Sequence, residues 1–147
     1  MKKILFILIL LVSVNAIAQR GGKREKIKAL KVAFITDKLN LTAKESQKFW
    51  PIYNAFEEET NAIRHREIRV IRKEIRDDLE TMSEADANTL IKRLNAAENK
   101  MHKLRIGLSE KLINIIPAKK IIQLKIAEDD FRRKMLDELK KRKREKP

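Results

Sequence analysis

Two histidines and a carboxylate are the residues of this chain most able to hold a metal ion. His65 lies 17 residues before Met82, and His102 lies 20 residues after it. If Met82 marks the turn of an antiparallel helical hairpin, the two imidazoles fall at nearly the same level, about one turn apart. Glu98 sits one turn from His102, and Glu67 is close to His65 in sequence. Two imidazoles with a carboxylate form a ligand set for zinc or a similar ion. Both histidines sit among charged or polar neighbours, which favours solvated side chains over ligands. The expectation is no metal and no cofactor, with His65, His102 and Glu98 as the candidates if an ion binds.

Charge carries the second kind of chemistry. The chain has 35 Lys and Arg against 21 Asp and Glu, a formal net charge of +14. Arg66, Arg69, Lys73 and Arg76 form a basic stripe at helical spacing, with Lys73–Asp77 and Arg76–Glu80 as i,i+4 partners. A basic stripe beside an apolar face would attract acidic segments at long range and hold them through short apolar contacts. These four residues are therefore candidate client- or partner-binding residues. Trp50 joins them, because it points about 100° away from the apolar position Phe49 and is expected to be exposed.

Catalysis finds little support in the residue types. There is no Cys, hence no thiol nucleophile, thiolate metal site or disulfide. There is no Gly-rich phosphate loop. Ser13, Ser46, Ser83 and Ser109 read as leader, cap or helix-surface positions, and no carboxylate pair stands out on the charged helix faces. The chain reads as a binding protein, not an enzyme.

The elements that must position these residues begin after a leader. Met1-Lys2-Lys3, the apolar run Ile4 to Val14 and the small-x-small Ala16-Ile17-Ala18 form a secretory pattern. The apolar run is short for a bilayer span. Cleavage is expected after Ala18, giving a signal peptide over 1–18 and placing the product in the periplasm. Export argues against nucleic acid as the partner of so basic a chain. It favours anionic lipid headgroups, acidic partners or unfolded clients. Residues 19–23 are expected to be a disordered lead-in, 24–140 one helical domain, and 141–147 a basic disordered tail able to touch anionic membrane weakly.

Glycine and proline are scarce, at three each, while helix-forming residues abound. Long helices and an all-α fold follow. With 38% of residues charged the core is expected to be thin, in an elongated or dimeric protein. A first helix is expected over about Arg24 to Leu39, with Ile27, Leu30, Phe34 and Ile35 as its apolar stripe and Asn40 ending it. Thr42-Ala43-Lys44-Glu45 is a capping box that opens the second helix. That helix is expected to run to Leu79, about 37 residues or roughly 55 Å. Phe49, Ile52, Tyr53, Phe56, Ile63, Val70, Ile71, Ile75 and Leu79 share its broad apolar face. Pro51 should bend it without ending it, with Phe49, Tyr53 and Phe56 packing beside the bend.

Ser83, with Asp86 in the reciprocal position, caps a third helix lined by Ala87, Leu90, Leu94, Ala97, Met101, Leu104, Leu108 and Leu112. Pro117 ends that helix and opens a fourth, whose apolar face runs Ile121, Leu124, Ala127, Phe131, Met135 and Leu139. The short Thr81-Met82 turn makes the second and third helices an antiparallel hairpin. The first and fourth are expected to be shorter and to flank its ends. Ile116-Pro117-Ala118-Lys119 also lies over Leu41-Thr42-Ala43-Lys44 at an offset of 75. That faint repeat aligns Phe49 with Leu124 and Phe56 with Phe131.

The leader, the Leu41-Thr42 helix start and the second start at Ile116-Pro117 resemble the Spy/CpxP-like periplasmic proteins, which carry two L-T-x-x-Q motifs on an all-α hairpin. The resemblance covers about residues 25 to 140. The segment KFWPIYNAFEE also looks like a Bacteroidetes-type subgroup labelled sensors of ECF-type sigma factors. Leu41, Thr42 and Glu45 occupy the first motif, with Glu45 where the family has Gln. The second start keeps neither Thr nor Gln. The resemblance implies a cradle-shaped antiparallel homodimer in the envelope stress response. It would bind unfolded or misfolded proteins without ATP, or a membrane-bound signalling protein. Relatives that sense metal ions imply the alternative of a periplasmic heavy-metal sensor. An exported chain cannot reach a cytoplasmic sigma factor, so either signalling role needs a transmembrane relay.

Overall fold

The computed structural model describes residue 22 and residues 25–144. The expected leader, most of the lead-in, Arg24 and the last three residues lie outside the described residues. Helix α1 covers 25–39, α2 Ala43–Ile63, α3 Arg69–Asp78, α4 Glu84–Leu112 and α5 Ala118–Arg144. A five-residue π-helical turn, Arg64–Ile68, joins α2 to α3. No strand occurs among the described residues, and the fold is all-α. None of their helices is long and apolar enough to cross a membrane.

Two compact units divide the chain. One joins the described residues up to Asn40 with those from Ile122 to Arg144, and the other is Leu41–Ile121. In the first, α1 ends at Asn40, whose positive φ of 47° is the left-handed helix terminus that Asn tolerates. Its amide donates to Asp37 O at 3.0 Å. Phe34 meets Phe131 with ring centroids 5.6 Å apart, and Lys38 and Lys134 each place an ammonium 5.6 Å from the Phe34 ring. Ile35, Leu39, Leu124, Ala127 and Phe131 are buried. Of the expected stripe of α1, Ile35 is buried and Phe34 half-buried, but Ile27 and Leu30 are exposed, and the buried side continues to Leu39. Leu139, also expected inside, is exposed.

The second unit is built on the hairpin of α2, the π-turn and α3 against α4. Thr42 closes the expected capping box: its amide donates to Glu45 Oε2 at 2.8 Å, and the Glu45 amide donates to Thr42 Oγ1 at 3.2 Å. At the head of α4 the Asp86 amide donates to Ser83 Oγ at 3.2 Å, while the Ser83 hydroxyl donates to Asp86 Oδ2 at 2.6 Å. Phe49, Tyr53 and Phe56 are buried as expected, and so are Leu90, Ala97, Leu108 and Leu112 of α4. Pro51 lies inside α2, and the helix continues through it. Pro117 stands just ahead of α5, where its carbonyl accepts from the Lys120 amide at 2.8 Å.

The expected unbroken second helix is the main correction. From Thr60 to Ile68 an α-helix turns through a net angle of about 80°, so the apolar positions on either side of the Arg64–Glu67 run are out of phase. A π-turn adds about one residue to the turn and removes that offset. Thr60, Ile68 and Ile71 are then all buried, whereas Val70 and Leu79, expected on the same face, are exposed. The fourth helix is also longer than expected, with 27 residues against 29 for α4. Residues 141–144, expected to be disordered tail, form its last turn.

Candidate functional site

The π-turn shapes the most site-like feature of the hairpin. Arg69, Arg72, Lys73 and Arg76 stand at i, i+3, i+4 and i+7 of α3, a spacing that keeps them on one face. Arg64 is set one widened turn above Arg69, whose amide donates to Arg64 O. With His65 these side chains line a groove of about 840 Å³. Its apolar lining is Ile68, Val70 and, from α4, Met101. Ile68 is buried, Met101 half-buried and Val70 exposed.

Acidic groups nearby are engaged elsewhere. Glu74 takes a bidentate contact from Arg93 of α4, at 2.6 and 3.1 Å. Glu67 takes Lys100 of α4 at 2.8 Å. Each pair sits seven residues from the other on both helices, so the hairpin is antiparallel and in step. Asp77 meets Lys73 at 3.9 Å and Arg76 at 3.4 Å. Arg76 thus pairs with Asp77, not with Glu80 as expected. Arg64, Arg69 and Arg72 have no carboxylate partner among the described residues. The Arg93 contact holds the Glu74 carboxyl below the usual carboxylate range and raises the Arg93 guanidinium above its ordinary value. An anion entering the groove therefore meets Arg64, Arg69 and Arg72 without a carboxylate partner among the described residues, while Lys73 and Arg76 share Asp77.

Three of the four expected stripe residues, Arg69, Lys73 and Arg76, line this groove, and Arg66 does not. His65, expected only as a metal candidate, joins the groove with Arg64 and Arg72, which lie outside the expected stripe; Arg64 is brought to this face by the widened turn, which has no local signature. Trp50, expected to be exposed, is half-buried. Its ring stands edge-on to Phe49 at 5.0 Å and to Tyr53 at 5.6 Å, because the flat Phe49–Tyr53 stack at 5.4 Å offers it ring faces to cover. Trp50 belongs to the aromatic cluster beside Pro51. A second groove of about 330 Å³ runs between α2 and α4 there, lined by Pro51, Ile52, Phe56, Leu104, Gly107 and Leu108 among others.

Among the described residues no three His, Asp or Glu side chains come together as a metal-binding group. His65 lies in the basic groove, where cations surround it, and His102 and Glu98 are exposed on α4. The structure does not assemble the three into a ligand set.

Of the motif residues, Leu41 is half-buried, and Glu45 does more than cap. Lys120 at the start of α5 donates to Glu45 Oε2 at 2.8 Å, with both side chains four-fifths buried. That contact, ahead of the hydrogen bond from Thr42, holds the Glu45 carboxyl below its ordinary value. Glu45 and Lys120 are 75 residues apart, the offset of the internal repeat. The two helix starts thus meet at equivalent positions. Phe49 and Leu124, and Phe56 and Phe131, are buried at both members of the repeat.

No protein-family model, no curated protein and no solved structure matches this chain.

Proposed function

We propose that this protein is an exported binding protein of the envelope stress response, similar to the Spy/CpxP-like proteins and their sigma-factor-sensor subgroup. It holds misfolded polypeptides, or the exposed segment of a membrane-bound signalling protein, without ATP, and it works as a homodimer. The observation that carries this reading is the groove at the π-turn. Three arginines without carboxylate partners among the described residues lie beside an apolar lining, and this matches an unfolded segment that carries both acidic and apolar side chains. Electrostatic attraction speeds encounter, while a shallow apolar contact keeps residence short. A hydrolytic or redox step has no part in this mechanism. Binding and release follow the client's own folding, which withdraws its apolar side chains from the groove.

The test is aggregation of a chemically unfolded client, followed by light scattering with no nucleotide present. Suppression at near-stoichiometric ratios is expected. A specific membrane partner with no general effect on aggregation would favour the signalling role over the client-holding one. Failure to do either would remove the proposal.

A further inference from the structure

The face of α5 opposite its buried side carries a pattern that client capture does not use. Leu124, Ala127 and Phe131 are buried and mark the packed side of the helix. Ile122, Ile126, Leu136 and Leu139 lie on the other side, with 65, 57, 50 and 57% of their surface exposed. At 100° per residue these four share an arc of about 140°. Lys125, Arg132, Arg133, Lys140 and Lys143 fall in the same arc and are all exposed. Asp129 is the one carboxylate among them and is paired with Arg132 at 2.6 Å, while Arg133 meets Asp130 at 2.9 Å and Lys140 meets Asp137 at 3.9 Å from the edge of the arc. From Ile122 to Lys143 the face is about 32 Å long.

A long face mixing large aliphatic side chains with cations suits a partner that is at once anionic and apolar, and extended in a plane. A second copy of the same face is disfavoured, because the arc holds five cations against one carboxylate and would meet its own charge. We propose that this face of α5 lies in the plane of an anionic lipid bilayer. The four aliphatic side chains enter the boundary between headgroups and acyl chains, and the lysines and arginines reach the phosphates. The helical last turn, Lys141–Arg144, adds cations at the same end. The contact would keep the protein at the membrane surface.

Flotation of the full chain with vesicles tests this. One set contains three parts phosphatidylglycerol to seven of phosphatidylcholine, and the other is phosphatidylcholine alone. The apolar run Ile4–Val14 can carry the chain to either kind, so the quantity read is the ratio of anionic to neutral binding. A ratio of at least about ten is expected at low salt, falling in high salt. Lys125→Gln/Arg132→Gln/Lys140→Gln/Lys143→Gln should bring the ratio close to one. Ile122→Ser/Ile126→Ser/Leu136→Ser/Leu139→Ser should lower anionic binding about ten-fold or more. Glutamine keeps helix propensity, so the charge variant retains its fold. A wild-type ratio near one, or a charge variant that keeps the ratio, overturns the proposal. So does displacement from the vesicles by soluble polyglutamate at matched charge, which would make this a surface for acidic polypeptides.

Discussion

Thr60 is 2% exposed, and its hydroxyl oxygen has no hydrogen-bond partner among the described residues. Taking that hydroxyl out of water without a partner costs free energy, so Thr60→Val, which keeps the shape, should raise unfolding stability by about 1 kcal/mol. Thermal unfolding checks it, and an unchanged or lower midpoint would contradict it. Glu45 gives a prediction with a sign. Its carboxyl is held below the ordinary value of 4.5, so its contribution is present above that value and is lost as pH falls through the lowered folded value. Glu45→Gln should reduce stability at neutral pH and flatten the acid-side decline. Wild-type and variant stability curves that run parallel through that window would refute the role. The caps at Thr42 and Ser83 were legible in the sequence because each is a contact within four residues. The Glu45–Lys120 contact was not, since only the closed fold brings positions 75 residues apart together.

At the scale of elements, helical periodicity located α2 through α5 and the apolar line of α4 from Ala87 to Leu112. It failed where two correct local patterns disagreed in phase. Thr60 and Ile68 both need burial, and the charged Arg64–Glu67 run gives no sign that a turn there must widen. Deleting His65 should let this segment become a plain α-helix, because seven residues then separate Thr60 from Ile68 and bring them to within about 20°. The variant should stay helical, with its melting midpoint within a few degrees of wild type, but lose affinity for unfolded clients. Loss of the folded hairpin would show that the π-turn is structural and not a device for the groove. Pro51 is exposed within α2, where its ring removes one helix hydrogen bond. Pro51→Ala should therefore stabilise the protein by roughly 1–3 kcal/mol. If the proline also sets curvature, the variant's small-angle scattering profile will change.

For the whole molecule, the sequence called for long helices, a thin core and heavy surface charge, and the described residues form an all-α fold. The exposed apolar residues were the part it hid. Ile27, Leu30 and Leu139 satisfy the helical pattern, and periodicity cannot tell a side chain that meets the core from one that meets a partner. The export reading predicts that protein isolated from its native cell has the intact mass of a chain beginning at Gln19; a mass that includes Met1–Ala18 would contradict it. The central claim is that the basic groove at the π-turn captures unfolded, acidic segments. Its most direct measurement is the affinity of a fluorescent unfolded client for wild type and for Arg64→Gln/Arg69→Gln/Arg72→Gln, across a salt series. A loss of at least about ten-fold is expected in the variant at low salt, narrowing as salt screens the wild type. Equal affinities at low salt would contradict it.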